Sequence, residues 1–590
     1  MTDEIKQGWR VAVVKALQHI AGNNGIEQAE FTVDEVLIQK PPKPEMGDIA
    51  IPFFSFAKLF KSAPAKIAGQ VAAALDEIDH PAAESITVAG PYLNISSDLS
   101  GGASELLERI KHAGEDFGKT DAYAGRHVMI EFSCPNTNKP LHLGHMRNDA
   151  LGESVARILK ANGATVRKVN LINDRGVHIC KSMLAYQKFG EGKTPESTGI
   201  KSDHFVGDYY VKFAQWAKED PSADQQAQQM LNQWEREDPE TIKLWKQMND
   251  WTISGIEQTY EKTGVSFDDV YYESKTYSRG REEVLKGLEQ GVFFKKDDGS
   301  VWIDLEPIGL DEKVLLRKDG TSLYLTQDIG TAIARHDHWP FDTLIYVVAS
   351  EQKYHFTVLF YVLSQLGFEW AQRLYHLSYG MVNLPDGKMK SREGTVVDAD
   401  ELFDQLTSMA RDEIISKGRE QEVDDLEKTS EAIARGALNY YLLQVTPTRD
   451  MIFDPKESIS FNGNTGPYLQ YMGARITSML KKYEQQASQE VKEAEFDPSV
   501  LGEAAERELL TKIADLPSTV RLSGEQMNPS LLTSYLYETA KLFSRFYHDH
   551  SILKAETPQL VKARVVLSQM VLRALKSGFE LVGIPFLESM

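Results

Sequence analysis

The chain has 590 residues, with 65 Lys and Arg against 86 Asp and Glu, a formal charge of −21 at pH 7. That length predicts three or four domains with ample core, and only two cysteines, Cys134 and Cys180, exclude a disulfide framework and any cysteine-based zinc site. No uninterrupted apolar span is long enough to cross a bilayer, and Met1-Thr-Asp-Glu-Ile-Lys-Gln7 lacks the regions of a signal peptide, so a cytoplasmic protein with no membrane partner is expected. The acidity does not exclude a nucleic-acid partner, because such binding depends on local patches; it predicts an affinity that rests on a few placed cations and falls steeply with salt.

In chain order, residues 1–115 form an α/β module, with helical text on both sides of the extended Pro41-Pro-Lys-Pro44. His127-Val-Met-Ile-Glu-Phe132 is a nearly continuous apolar run, predicting a strand buried on both faces. A loop, Ser133 to Pro140, leads into a helix expected over 141–161 and stopped by Asn162-Gly163, and Thr165 to Ile172 supplies the next strand. This is a βαβ unit with His142-Leu-Gly-His145 at the carboxyl end of its first strand, where open α/β sheets bind ligands. His142 and His145, three apart at a helix start, are expected to project on one face. Helix N–H groups and dipole favour a phosphate there, the imidazoles add donors, and Gly144 allows a flat base to approach the backbone.

The intervening text, about 185–335, reads as helical and hairpin insertions into a nucleotide-binding domain. Its Trp216, Trp234, Trp245 and Trp251 are expected to pack rather than to stack on bases. Lys318-Asp319-Gly320 predicts a hairpin turn, and Thr326 a cap for the helix that carries Tyr324 and Asp328. Thr343 to Ala349, Tyr354 to Leu366 and Leu374 to Val382 repeat the strand–helix–strand pattern. A turn, Pro385-Asp-Gly387, then presents Lys388-Met-Lys-Ser-Arg392, cations suited to the β- and γ-phosphates of a nucleotide. Residues 398–430 read as a connector ending in a charged stretch, and 431–590 as helices, with Tyr468 and Tyr471 as either base-stacking or core aromatics and Arg475 as a phosphate candidate.

His142-Leu-Gly-His145 and Lys388-Met-Lys-Ser-Arg392 resemble the two hallmark motifs of class I aminoacyl-tRNA synthetases. The wider text resembles the arginyl enzymes over nearly the whole chain: Pro44-Glu-Met-Gly-Asp48, Glu131-Phe-Ser-Cys-Pro-Asn136, Lys139-Pro-Leu-His-Leu-Gly-His145, Asp203-His-Phe-Val-Gly-Asp-Tyr-Tyr210, Ser322-Leu-Tyr-Leu-Thr-Gln-Asp328, Phe461-Asn-Gly-Asn-Thr-Gly-Pro-Tyr468 and Gly583-Ile-Pro-Phe-Leu-Glu-Ser-Met590. The resemblance implies a multidomain α/β protein: an added N-terminal domain (1–115) contacting the tRNA elbow, a Rossmann catalytic domain (120–397), the connector and an all-α anticodon-binding bundle. It implies ATP-dependent ligation of arginine to its tRNA through an arginyl-adenylate, with tRNA bound before activation, Mg²⁺ accompanying ATP, no zinc or other protein-bound metal, and a monomer.

By the same resemblance, Lys139, His142, His145, Lys388, Lys390 and Arg392 act on the phosphates, while His142, Gly144, His145, Lys388 and Met389 hold the nucleotide. Ser391 stands where the usual second motif has a lysine, and Lys139, just before the first motif, is expected to replace it; Lys390 can share the role. Glu131, Asn136, Tyr324, Asp328 and Gln352 are implied to line the arginine site. A guanidinium is a planar fork of donors that carboxylates match in bidentate geometry, so Glu131 and Asp328 are assigned to it, Asn136 to the α-amino or carboxylate end, and Tyr324 to packing beside the substrate. Lysine would leave buried acceptors unpaired at roughly 1–3 kcal/mol each, so no editing domain is expected. Three other readings compete: a different class I synthetase, a non-catalytic tRNA-binding paralogue, and a small nucleotidyltransferase sharing the first motif. The last leaves the helical C-terminus unexplained.

Overall fold

The computed structural model describes residues 3–26, 30–43, 46–97, 99–320, 323–383, 385 and 397–590. The chain divides into two compact units, one of residues 1–118, 472–519 and 535–578, the other of 119–471, 520–534 and 579–590.

In the first unit, the helices Asp3–Asn23 and Pro64–Leu75 accompany an antiparallel sheet in which Tyr92–Ser97 lies between Ile49–Pro52 and Ala83–Ala89. Trp9, Val13, Leu17, Ile67, Val71, Leu93 and Ile95 belong to its apolar core. The remainder of this unit is helical, with Arg564 donating to the buried Glu506 at 2.7 Å. The C-terminal helices thus divide between the two units. Leu426–Leu443 belongs wholly to the second, where eleven of its eighteen residues are buried.

The second unit is built on a parallel sheet. Its strands, in chain order, are β1 (His127–Glu131), β2 (Thr165–Ile172), β3 (Asp269–Tyr272), β4 (Thr343–Ala349) and β5 (Leu374–Tyr379), arranged β5-β4-β1-β2-β3. Four of the five residues of β1 are buried, as an all-parallel strand covered on both faces requires. The connecting helices used below are α1 (Leu143–Ala161), α2 (Val177–Phe189), α3 (Ser202–Glu219), α4 (Ser222–Glu235), α5 (Pro239–Thr263), α6 (Glu273–Glu289), α7 (Tyr324–His338), α8 (Lys353–Gln365), α9 (Ala399–Ser416) and α10 (Leu426–Leu443).

The insertion between β2 and β3 is helical. Ile179, Met183, Phe205, Phe213, Trp216, Met230 and Met248 from α2 to α5 form its core. Trp216 and Trp234 are buried, Trp245 Nε1 donates to Asp174 O at 2.6 Å, and Trp251 meets Phe205 edge-on, so the tryptophans pack. Between α6 and α7 lies a small antiparallel sheet of Phe294–Lys295, Val301–Ile303 and Lys313–Leu316. The turn at Lys318-Asp319 does not close the expected hairpin. Lys313–Leu316 pairs backwards with Val301–Ile303, and the turn leads towards α7. Thr326 is likewise no cap: the N-cap is Leu323, and Thr326 Oγ1 donates to Leu315 O, joining α7 to that sheet.

One buried arginine ties distant segments together. Arg147, on α1 and 2% exposed, donates to Gly380 O (2.8 Å), Met381 O (3.1 Å), Pro447 O (3.1 Å) and Arg449 O (2.7 Å). It thereby holds the helix of the first motif to the chain entering the second. Arg147→Met would leave Gly380 O and Arg449 O without the donor recorded for them, while Pro447 O and Met381 O keep the backbone N–H groups of Gly380 and Met451; at roughly 1–3 kcal/mol for each orphaned carbonyl the loss is about 2–6 kcal/mol. The expected result is a fall of about 2–5 °C in the thermal midpoint by differential scanning calorimetry; an unchanged midpoint would show that the carbonyls are held by other means.

Candidate active site

The strand order reverses between β1 and β4, because the chain runs from β1 outward through β2 and β3 and then returns to the other side of β1. At such a switch point the connections leave on opposite faces and open a crevice outside the carboxyl ends of the two strands. Glu131 ends β1, and Gln352 follows β4 by three residues.

The first part of the site is the turn into α1. His142 is the N-cap, with extended backbone (φ −136°, ψ 172°), and its Nδ1 accepts from Gly144 N at 3.1 Å. His145 Nδ1 accepts from His142 N at 3.2 Å, so the two imidazoles cap the helix reciprocally with ring centroids 3.9 Å apart. A Cβ on residue 144 would lie 2.9 Å from His142 Cε1, so Gly144 makes room for the His142 ring itself. Burial and then the neighbouring Lys139 push the His142 pKa down to about 4, and burial, His142 and Lys139 push His145 lower than its ordinary value as well. Both rings are therefore neutral at physiological pH. Since each Nδ1 accepts, each proton sits on Nε2, which leaves two donors for an anion.

Lys139 stands in the bend before this turn, and burial lowers its pKa. A third imidazole that the sequence reading did not single out, His178 on α2, is held near pKa 4 by burial and by Lys139 and Lys181, and its buried Nε2 has no hydrogen-bond partner among the described residues. The backbone here is tightly packed: a Cβ on Gly207 of α3 would meet Pro140 Cδ at 2.8 Å.

A cluster of acidic residues forms around the ends of β1 and β3 and on α7. Glu131 is 5% exposed and in ion-pair contact with the fully buried Arg335 of α7, whose pKa burial would lower but Glu131 holds raised. The cation expected to meet Glu131 is thus partly supplied from within the chain. Asp328, half-buried on α7, accepts from His355 Nε2 at 2.6 Å. Tyr324, the first residue of α7, is 71% exposed, and Gln352 is exposed at the N-cap of α8. Asn136 bridges its backbone to Asn173, just past β2. Glu273, at the start of α6 and absent from the sequence reading, is buried; burial, opposed by Arg175 and reinforced by Asp328 and Asp174, pushes its pKa up to about 7. With the Gln327 amide turned to suit both neighbours, its nitrogen donates to Glu273 (2.8 Å) and its oxygen accepts from Arg175 (2.8 Å). No local sequence pattern marks Glu273, because its role depends on where β3 ends relative to α7.

Between β1 and the turn into α1, Ser133 (φ 72°) and Cys134 (φ 50°) adopt left-handed backbone, at a cost of about 1–3 kcal/mol each. The turn is fixed by Asn148 Oδ1 accepting from Ser133 N (2.6 Å), Asn170 Oδ1 accepting from Cys134 N (3.1 Å), Asn173 Nδ2 donating to Cys134 O (2.9 Å), and a 2.6 Å hydroxyl contact between Ser133 and Tyr260. Cys134 is itself half-buried, and burial first, then Glu131, raises its thiol pKa well above the ordinary value.

Lys388, Met389, Lys390 and Arg392 lie outside the described residues. Among the C-terminal candidates, the Arg419 guanidinium lies 5.8 Å from the Tyr471 ring centre, and that of Arg475 lies 4.3 Å from Tyr547.

Comparison with known proteins assigns the lineage. Three family models match in succession: "Arginyl tRNA synthetase N terminal domain" over residues 7–96, "tRNA synthetases class I (R), catalytic domain" over 110–455 and "DALR anticodon binding domain" over 469–590. Among curated relatives, the arginine–tRNA ligase of Treponema denticola is 56% identical with 100% of each chain covered, that of Treponema pallidum 52% identical with 99% of each covered, and that of Bacteroides thetaiotaomicron 46% identical with 96% of this chain and 97% of that one covered. The fold is shared with the arginyl-tRNA synthetase of Thermus thermophilus (TM-score 0.76, 24% identity, 99% of this chain and 100% of that one covered) and with that of Plasmodium falciparum (TM-score 0.77, 18% identity, 100% of each). The chain belongs to the class I arginyl-tRNA synthetases.

Proposed function

We propose that the crevice joins arginine to its tRNA in two steps, the arginine carboxylate first displacing pyrophosphate from ATP and the terminal ribose hydroxyl of the tRNA then taking the acyl group. What supports this reading is a pair of oppositely suited clusters built around the ends of β1 and its neighbours. Neutral imidazole donors and the Lys139 ammonium stand in one, and the Glu131, Asp328 and Glu273 carboxyls in the other, matching an anion and a guanidinium held end to end. No side-chain nucleophile is required, since positioning and charge stabilisation lower the barrier. His142 and His145 donate from Nε2 to the α-phosphate as it gains negative charge, and Lys139 supplies the cation missing at Ser391. Gly144 leaves the room that the His142 ring needs. Lys388, Lys390 and Arg392 complete the phosphate grip, and Met389 helps to hold the nucleotide.

Asp328 and Glu273 accept from the substrate guanidinium. Glu131, already balanced by Arg335, offers its remaining acceptor capacity to the same group or fixes Arg335 behind it. Asn136 and Gln352 address the α-amino and carboxylate end, and the exposed Tyr324 closes over the substrate. Mg²⁺ enters with ATP. Among the described residues the group able to gather a metal is Asp203, His204 and Asp400, and the Lys201 ammonium already sits against two of its carboxylates. Residues 1–115 serve the tRNA elbow and the C-terminal helices its anticodon. A cytoplasmic monomer is the setting expected of this reaction; no helix among the described residues is long and apolar enough to cross a membrane.

Arginine-dependent ATP–pyrophosphate exchange in the presence of tRNA is the direct test. Wild-type protein should exchange with arginine and not with lysine or glutamine, and Lys139→Ala should lower the rate by about 10²–10³. Exchange supported by another amino acid would overturn the pocket assignment, and a Lys139→Ala rate within a few-fold of wild type would remove that residue from the chemistry.

A second expectation follows from Glu273. Its carboxyl is protonated below about 7, and only the ionised form attracts a guanidinium, so the KM for arginine should fall as pH rises from 6 to 8. Glu273→Gln should flatten that profile; a variant that keeps the wild-type pH dependence would place the titrating group elsewhere.

A further inference from the structure

The turn that carries the two imidazoles is gripped from outside by a short piece of chain distant in sequence. Leu143 N donates to Val397 O at 3.1 Å, Ala399 N donates to Leu141 O at 3.1 Å, and His142 and Asp398 form an antiparallel bridge between them. Residues 397–399 thus act as an outer strand against Leu141–Leu143. Leu143 is the first residue of α1, and its N–H is one that a helix cannot satisfy internally. Val397 satisfies it.

Two backbone bonds and a bridge are a weak hold by themselves, since fewer than three paired residues give little cooperativity. The outer strand is anchored at its far end by charge. Asp400, 6% exposed, receives Lys201 Nζ (2.6 Å) and Thr259 Oγ1 (3.1 Å) on Oδ2, with His204 Nε2 at 3.3 Å from the same oxygen and Lys262 Nζ at 3.5 Å from Oδ1. Lys201 also donates to Thr259 Oγ1 (2.6 Å) and to the fully buried Asp203 (3.0 Å). His204 Nε2 lies 3.4 Å from Asp398 Oδ2, so the cluster reaches the bridge residue itself. Lys201 and Asp203 cannot shift freely, because Gly255 of α5 approaches so closely that a Cβ there would lie 2.4 Å from Asp203 Oδ1. A metal in this cluster would have to displace the Lys201 ammonium, which already lies between Asp203, Thr259 and Asp400.

We propose that the Lys201–Asp400 cluster is a positioning device for the first motif: it pins residues 397–399 to α3 and α5 and so fixes where His142 and His145 meet the α-phosphate. Lys201, Thr259 and Asp400 touch no reacting atom in this account; they act through the bridge between His142 and Asp398. The inference rests on the reaction assigned above only for its kinetic consequence. Its mechanical part stands independently.

The test therefore has two arms on the full-length protein. By hydrogen–deuterium exchange, Lys201→Met and Asp400→Asn should speed exchange about 10-fold or more in peptides spanning 141–146 and 397–403, the segments joined by the Leu143 and Ala399 amides. Unchanged protection in a folded variant would overturn the proposal whatever the activity. By arginine-dependent pyrophosphate exchange, Lys201→Met should lower kcat about 10-fold or more with the KM values for ATP and arginine within about 3-fold. Combining it with His142→Ala should slow the reaction no further than His142→Ala alone. Additive losses would mean that Lys201 does not act through His142.

Thr259→Val, which keeps every charge, and Thr259→Ser, which keeps the hydroxyl, supply the milder pair. The first should show the same defects in weaker form and the second should match wild type; equal behaviour of the two would count against the device. A wild-type enzyme silent with arginine would contradict the assigned reaction, while the exchange arm would still decide whether the cluster holds the motif.

Discussion

The architecture turns on a buried cation whose hydrogen bonds, among the described residues, go to backbone carbonyls rather than to a carboxylate. Arg147 points four hydrogen bonds at the carbonyls of Gly380, Met381, Pro447 and Arg449, and burial lowers its pKa only to about 10, so it stays charged. A lysine could not do this, because its three donors do not lie in one plane with a fixed fork. The consequence is geometric. The helix that starts with the turn carrying the two imidazoles, the segment that follows β5, and the chain after α10 are locked to one another, although some 300 residues separate them.

Around that joint the crevice separates its charges by different physical means. At the imidazole turn the histidines are made neutral by burial and by Lys139, and their tautomers are fixed by the backbone N–H groups that each Nδ1 accepts. In the acidic cluster the carboxyls are kept close together although like charges repel. Arg335 balances Glu131, His355 meets Asp328, and Glu273 responds by holding its proton to about pH 7. A pocket of this kind is poised for a substrate that brings its own positive charge, and a neutral or acidic side chain would leave its acceptors without partners.

Much of this was legible in the sequence. β2 and β4 run over the residues expected of them, and the Asn162-Gly163 stop of α1 falls where expected, because strand text bounded by turn residues and helix stops are written locally. The places where reading failed are those where tertiary geometry decides. His142 looked like a helical residue and is the cap. Lys318-Asp319-Gly320 looked like a hairpin and delivers the chain to a helix, since Lys313–Leu316 already has its partner in the preceding strand. Arg335 and Glu273 carry no motif, and become visible only once α7 lies across the ends of β1 and β3.

The central claim is that one crevice holds arginine and nucleotide end to end, each by the half built for it. A non-hydrolysable arginyl-adenylate analogue measures this most directly by isothermal titration calorimetry, with tRNA present. If the two halves are adjoining and correctly spaced, the analogue should bind about 10²-fold or more tightly than either arginine or AMP alone. An affinity no better than that of the stronger fragment would contradict the account, because it would mean that the imidazole turn and the acidic pocket do not serve the same molecule.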